Sequence, residues 1–66
     1  MSTIGKNIKK YRQEKELSQD KLSKLADLSL NTVVKIELDE SSNPTIETIQ
    51  RIAKALGVSV DDLLKK

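Results

Sequence analysis

The 66-residue sequence contains no cysteine, histidine, tryptophan or phenylalanine, and these absences exclude several classes of function. Without cysteine or histidine the chain has no disulfide, zinc finger, thiol nucleophile or imidazole base, so we expect no enzyme, no bound metal and no cofactor. No apolar run approaches the ~20 residues of a membrane span, and the N-terminus lacks the apolar core of a secretory signal. These features predict a cytoplasmic protein that does not enter a membrane.

Glycine and proline are also scarce, with two glycines and one proline, and no linker separates a second domain. The sequence therefore predicts one domain over residues 1–66, and a domain this small buries only ~60% of the surface exposed by its unfolded chain, which leaves little room for a substrate pocket. Its core must be aliphatic, because leucine, isoleucine and valine make up most of the apolar residues. No stretch alternates with period two, so the expected fold class is all-α.

Apolar periodicity and four cap sequences predict five helices. Four times an apolar or proline residue precedes a serine or threonine, and a second apolar residue follows four positions after the hydroxyl; the hydroxyl residues are Ser18, Ser29, Thr45 and Ser59. This pattern is typical of an N-cap flanked by a hydrophobic staple. Gly57 fits the left-handed position after the fourth helix. The predicted helices are residues 3–15, 19–26, 30–37, 46–56 and 60–65.

The second and third predicted helices are joined so closely that they must cross at a steep angle. This is the geometry of a helix-turn-helix, which we place at about residues 19–38. Its inward positions are apolar or small: Leu22, Ser23, Ala26, Leu28, Val33 and Ile36. The third predicted helix of the chain, which is the second of this motif, has an outer face formed by Leu30, Asn31, Thr32, Val34 and Lys35.

The sequence resembles the lambda-repressor-like (Cro/repressor, or xenobiotic-response-element) helix-turn-helix family over nearly its whole length. The matching segments include Leu17-Ser18-Gln19, Leu28-Ser29, Ile36-Glu37, Asn43-Pro44-Thr45-Ile46-Glu47-Thr48 and Ile52-Ala53-Lys54-Ala55-Leu56-Gly57-Val58-Ser59. The resemblance implies a five-helix domain that binds double-stranded DNA through its third helix, and hence a sequence-specific transcriptional regulator, in particular a repressor. It also implies a structural ion pair between Arg12 and Glu37.

The positions that match DNA contacts in the family carry side chains suited to that role. Leu30, Asn31 and Lys35 match base-edge contacts: leucine can cover a thymine methyl, asparagine can pair with adenine, and lysine can donate to guanine. Gln19 opens the second helix, where free N–H groups favour a phosphate. Further candidates for phosphate or base contacts are Ser29 and Thr32, and a second phosphate clamp is expected from Ser42, Asn43 and Thr45.

The charge distribution departs from what DNA binding favours. Residues 1–26 carry a net charge of +4 and residues 48–66 carry +2, whereas residues 27–47 carry −4. The segment Leu38-Asp39-Glu40-Ser41-Ser42 is acidic where many family members are basic, and acidic groups there repel phosphates unless they point away. The turn also holds Asp27 where the family usually has glycine, although aspartate tolerates the left-handed conformation better than most residues.

The expected partners of the chain, besides DNA, are a second copy of itself or another protein. One module of this kind buries only ~600–1,000 Å² on DNA, so we expect a homodimer on an inverted repeat, with Val60 in the fifth helix as the candidate contact. The alternative is an antitoxin or a protein-interaction module on the same fold, which the acidic middle segment and the outward positions of Val34 and Leu38 favour.

Overall fold

In the computed structural model, residues 3–38 and 44–65 are described, and these residues form five helices without a strand. The helices are α1 (Thr3–Glu14), α2 (Gln19–Leu25), α3 (Leu30–Leu38), α4 (Ile46–Leu56) and α5 (Val60–Leu64). The all-α prediction is confirmed, and each helix end lies within one residue of its expected position. None of the helices in these two ranges has the length and hydropathy of a membrane span.

All four predicted caps are present. In each, the hydroxyl oxygen accepts a hydrogen bond from the backbone N–H three residues later, at 3.0 to 3.2 Å; the caps are Ser18, Ser29, Thr45 and Ser59. At α5 the bond is reciprocal, because the Asp62 carboxylate accepts from the Ser59 backbone N–H at 3.1 Å. This hydrogen bond to the charged form holds the pKa of Asp62 below its ordinary value.

The core is one cluster of aliphatic side chains to which all five helices contribute. Its buried members are Ile8, Leu22, Ala26, Val33, Ile36, Ile49, Ile52, Ala53, Leu56 and Leu63. The apolar residues that precede three of the caps, Leu17, Leu28 and Val58, pack against this cluster. Since α1 packs on α3 and α4 packs on α2, the core holds the helix-turn-helix from two sides.

Gly5 allows α1 to approach the backbone of α3 closely. A Cβ atom at this position would lie 2.5 Å from the carbonyl oxygen of Ile36 and 3.2 Å from that of Glu37. Both oxygens belong to backbone, which cannot rotate away as the end of a side chain can. The contact was not predictable from the sequence, because it joins residues that are far apart along the chain. Within its own helix, glycine indicates only a weak helix former.

We expect Gly5→Ala to destabilise the fold by about 1–3 kcal/mol, because relieving the close contact requires α1 and α3 to move apart. In an open helix the same substitution is stabilising, since alanine has the higher helix propensity. Urea denaturation followed by circular dichroism measures the difference, with Lys6→Ala on the exposed side of α1 as the control. A Gly5→Ala protein as stable as the control would show that this contact is not tight.

Three of the described residues have positive φ angles, and each of them follows the end of a helix. Gly57 follows α4 with φ 71°, as predicted, and Asp27 adopts φ 58° in the turn after α2. Glu16 adopts φ 57° after α1, where the backbone N–H of Leu17 donates to the Arg12 carbonyl at 3.0 Å. The position of Glu16 was not predicted, since glutamate carries no signal for the left-handed region.

Candidate nucleic-acid interface

The turn between α2 and α3 is fixed by backbone hydrogen bonds and by a small buried residue. The Leu28 N–H donates to the Ser23 carbonyl at 2.8 Å, and the Ala26 N–H donates to the Leu22 carbonyl at 2.9 Å. Ser23 is buried, and its hydroxyl donates to the Asp20 carbonyl at 2.6 Å. The small side chain therefore lets the two helices cross closely, and α3 is held with one side facing outward.

The two sides of α3 differ sharply in exposure. Val33 and Ile36 are buried in the core, whereas Asn31 and Lys35 are exposed. Asn31 and Lys35 are four residues apart and so lie on the same face of the helix, one turn from each other. Leu30, at the start of the helix, is 44% exposed. The outer face thus combines an amide, an ammonium group and an aliphatic side chain, which are the groups that read base edges in the major groove.

Glu37, near the end of α3, is paired with Arg12 of α1. The Arg12 Nε donates to Glu37 Oε2 at 2.7 Å and its Nη2 donates to Glu37 Oε1 at 3.0 Å, while Nη1 donates to the Leu17 carbonyl at 2.8 Å. The side chains are 12% and 3% exposed, respectively. Such a two-point pair fixes the planes of both groups, so α3 is held at a set angle on α1.

Gln19 is the first residue of α2, and the structure adds a contact that the sequence did not predict. Its Nε2 donates to Glu37 Oε1 at 3.0 Å, so the same carboxylate binds both Arg12 and Gln19. Gln19 is half-buried, and its amide nitrogen carries a second hydrogen. The only sequence signal for this contact was the presence of a long amide at the start of the helix that leads into the turn.

The remaining hydroxyl candidates lie at the starts of helices. Ser29 and Thr32 are joined by a 2.7 Å hydrogen bond between their hydroxyl oxygens at the start of α3. Thr45 caps α4, and its hydroxyl donates to that of Thr48 at 3.0 Å. Each pair uses one hydroxyl hydrogen between its members, so the other hydroxyl hydrogen of the pair is the one that can be donated to a phosphate. Ser42 and Asn43 lie outside the described residues, so the second phosphate clamp stays a prediction.

Arginines from outside residues 27–47 pair with three of the five acidic residues in that segment. Arg12 binds Glu37, and Arg51 lies 2.8 Å from Glu47 and 3.7 Å from Asp27. Arg51 also donates to the Asp27 backbone carbonyl at 3.2 Å. The negative charge of the segment is therefore partly neutralised beside α3, and the other two acidic residues, Asp39 and Glu40, lie outside the described residues.

The residues considered for protein contacts differ in exposure. Val60, the candidate dimer contact, is half-buried and packs against the core, while Leu64 on the same helix is 44% exposed. Leu38 at the end of α3 is 59% exposed, and Val34 is half-buried. Of the two outward residues proposed for a protein partner, Leu38 therefore presents the larger apolar surface.

Comparison with known proteins places the fold in a defined group. A helix-turn-helix family model matches residues 8–63. The chain is 37% identical over 62 residues to the immunity repressor protein of Bacillus phage phi105, covering 94% of this chain and 42% of the repressor. It is 36% identical over 61 residues to the HTH-type transcriptional regulator SinR of Bacillus subtilis, covering 92% of this chain and 55% of SinR. This chain spans about half the length of these curated relatives.

A solved structure agrees with these sequence matches. The crystal structure of SinR, the master regulator for biofilm formation, in complex with DNA superposes on this chain with a TM-score of 0.90 at 35% sequence identity. The match covers 94% of this chain and 98% of the SinR chain in that crystal. The same five-helix arrangement is therefore present in a protein crystallised on DNA.

Proposed function

Because the chain belongs to the helix-turn-helix family, we propose that it is a sequence-specific DNA-binding transcriptional repressor whose helix α3 enters the major groove. The observation that carries this proposal is the outer face of α3, where Asn31 and Lys35 stand exposed one turn apart over a buried apolar side. The immunity repressor and SinR support the same function, since both are regulators by name. Binding a groove requires no reacting group, and we assign no catalytic role.

The outer face of α3 supplies the base contacts in this proposal. Asn31 donates and accepts with an adenine edge, and Lys35 donates to guanine one turn further along the helix. Leu30, which is 44% exposed, covers a thymine methyl group at the start of the helix. The buried pair of Arg12 and Glu37 fixes the angle at which this face meets the DNA.

Residues at the helix starts supply the phosphate contacts and set the register on the duplex. Gln19, Ser29 and Thr32 lie at the starts of α2 and α3, and Ser42 and Asn43 precede α4 in the sequence. Neutral amides and hydroxyls commonly make such contacts, which position a protein without reading sequence. The exposed lysines of α1 and α2 add the long-range attraction that residues 27–47 lack.

We further propose that two copies bind together. A single module buries only ~600–1,000 Å² on DNA, and a dimer on half-sites about 34 Å apart doubles the number of base contacts. Val60 and the exposed Leu64 on α5 form the candidate contact between copies, since burial of Leu64 by a second chain would remove exposed apolar surface.

Selection of a random duplex pool by the purified protein at about 100 mM salt, where weak nonspecific binding is already reduced, tests the proposal. We expect enrichment of an inverted repeat with half-sites about one helical turn apart. Selection with Asn31→Ala should recover the same repeat without the preference at one base pair of each half-site. Recovery of no motif by the folded protein would contradict the proposal and favour an antitoxin or protein-interaction module that uses Leu38.

A further inference from the structure

The Glu37 carboxylate joins three helices, although it is too deeply buried to reach DNA. Its side chain is 3% exposed. It accepts two hydrogen bonds from Arg12 of α1 and one from the Gln19 amide of α2, the latter at 3.0 Å. Because Glu37 lies in the last turn of α3, it connects the first residue of α2 to the end of the recognition helix.

The carboxylate determines which way the Gln19 amide faces. An ionised carboxylate only accepts hydrogen bonds, so the amide nitrogen and not the amide oxygen must point toward Glu37. Rotating the amide by half a turn would place two oxygens against each other with no hydrogen between them. Within residues 3–38 and 44–65, Gln19 Nε2 makes this one hydrogen bond, and its second N–H diverges from the carboxylate.

We infer that Glu37 is a positioning residue for DNA binding, which orients the Gln19 amide so that an N–H and not a carbonyl oxygen faces the phosphate. The inference rests on the proposed function, because only that function places a phosphate at Gln19. A free glutamine side chain samples several rotamers and both amide orientations, and ordering it on binding lowers affinity. The bond to Glu37 orders the side chain before DNA arrives.

The Arg12 pair separates this role from general support of the fold. Arg12 satisfies the carboxylate at both oxygens without help from Gln19. The Gln19 bond is therefore an additional contact, whose removal leaves no unpaired buried charge. Its loss should affect DNA affinity and leave the stability of the free protein nearly unchanged.

A double-mutant cycle on the full chain tests the inference, with affinities measured on the duplex recovered by selection. We expect Gln19→Ala to weaken binding by about 3- to 10-fold, the range for losing one hydrogen bond. The paired replacement Arg12→Met with Glu37→Leu removes the carboxylate without stranding a charge. We expect it to weaken binding by a similar factor, and Gln19→Ala in that background to add less than about 2-fold.

A further readout and a control variant distinguish positioning from a disturbed fold. The paired replacement leaves the net charge unchanged and Gln19→Ala removes no cation, so both variants should keep the wild-type dependence of affinity on salt, whereas a misdocked domain loses phosphate contacts and its slope falls. Gln13→Ala, at an exposed glutamine of α1, is the matched control and should bind as the wild type does.

Independent effects at the two positions would overturn the inference while leaving the proposed function in place. That outcome is the same loss of affinity, about 3- to 10-fold, from Gln19→Ala in both backgrounds. A Gln19→Ala protein that binds as tightly as the wild type would overturn it in the same way. A wild-type protein that binds no duplex at all would overturn the proposed function and this inference with it.

Discussion

Replacing Glu37 by alanine is expected to destabilise the protein by about 3–5 kcal/mol, because it leaves the Arg12 guanidinium without a carboxylate in a buried site. Arg12 is 12% exposed and directs two hydrogen bonds to Glu37. Domains are typically stable by only 5–15 kcal/mol in total, and one of this size lies toward the low end. Urea denaturation followed by circular dichroism should show a much lower midpoint of unfolding, with a fraction of the molecules unfolded even without urea.

Two comparison proteins separate the buried charge from other effects of the substitution. Glu47→Ala removes a carboxylate from Arg51, but both side chains of that pair are well exposed, so we expect a cost of about 0–1 kcal/mol. The double replacement of Arg12 by methionine and Glu37 by leucine removes both charges, and such replacements are often neutral or stabilising. If Glu37→Ala costs no more than Glu47→Ala, the Arg12 guanidinium is not left as an uncompensated buried charge.

The helices were predictable because their signals are local. A cap hydroxyl such as Ser59 binds an N–H three residues away, and the apolar residues beside it contact the same turn of helix. Four such caps, together with Gly57 after α4, determined both where helices begin and where one ends. Even the tolerance of Asp27 for a positive φ followed from the chemistry of its own side chain.

The contacts that the sequence did not reveal all depend on how helices meet. Gly5 fits because the backbone of Ile36 passes over it, and residues 5 and 36 are related only by tertiary packing. Asn7 likewise donates to the Leu63 and Lys65 carbonyls, at 2.8 and 2.7 Å, and so ties α1 to the end of α5. No spacing along the chain identifies such pairs, since any of several polar residues has the same donor groups.

The candidate site was predictable to a different degree at each position. Periodicity alone places Asn31 and Lys35 outward once Val33 and Ile36 are assigned to the core, and the structure has all four as expected. The bond between Gln19 and Glu37 depends on the crossing angle of α2 and α3, which sequence periodicity does not give. The acidic segment raised a difficulty that Arg51 partly resolves, through contacts between distant residues.

Charge reversal on the outer face of α3 should have the largest effect on DNA binding. We expect Lys35→Glu to weaken affinity at least about 10-fold at 100 mM salt, because one contact to a base edge contributes about 1–3 kcal/mol and the new carboxylate also repels phosphates. Lys35 is exposed and the structure shows no ion pair to it among the described residues, so folding should be unaffected.

The matched control is Lys54→Glu, which makes the same change in net charge at an exposed lysine in the last turn of α4. Both variants reduce the long-range attraction to DNA equally, and only Lys35→Glu places a carboxylate on the recognition face. Anisotropy titrations with the selected duplex at several salt concentrations measure both effects. Equal losses for the two variants would mean that net charge alone governs binding and that α3 does not enter the groove. A clearly larger loss for Lys35→Glu assigns recognition to this helix, because the two proteins differ only in the position of the added charge.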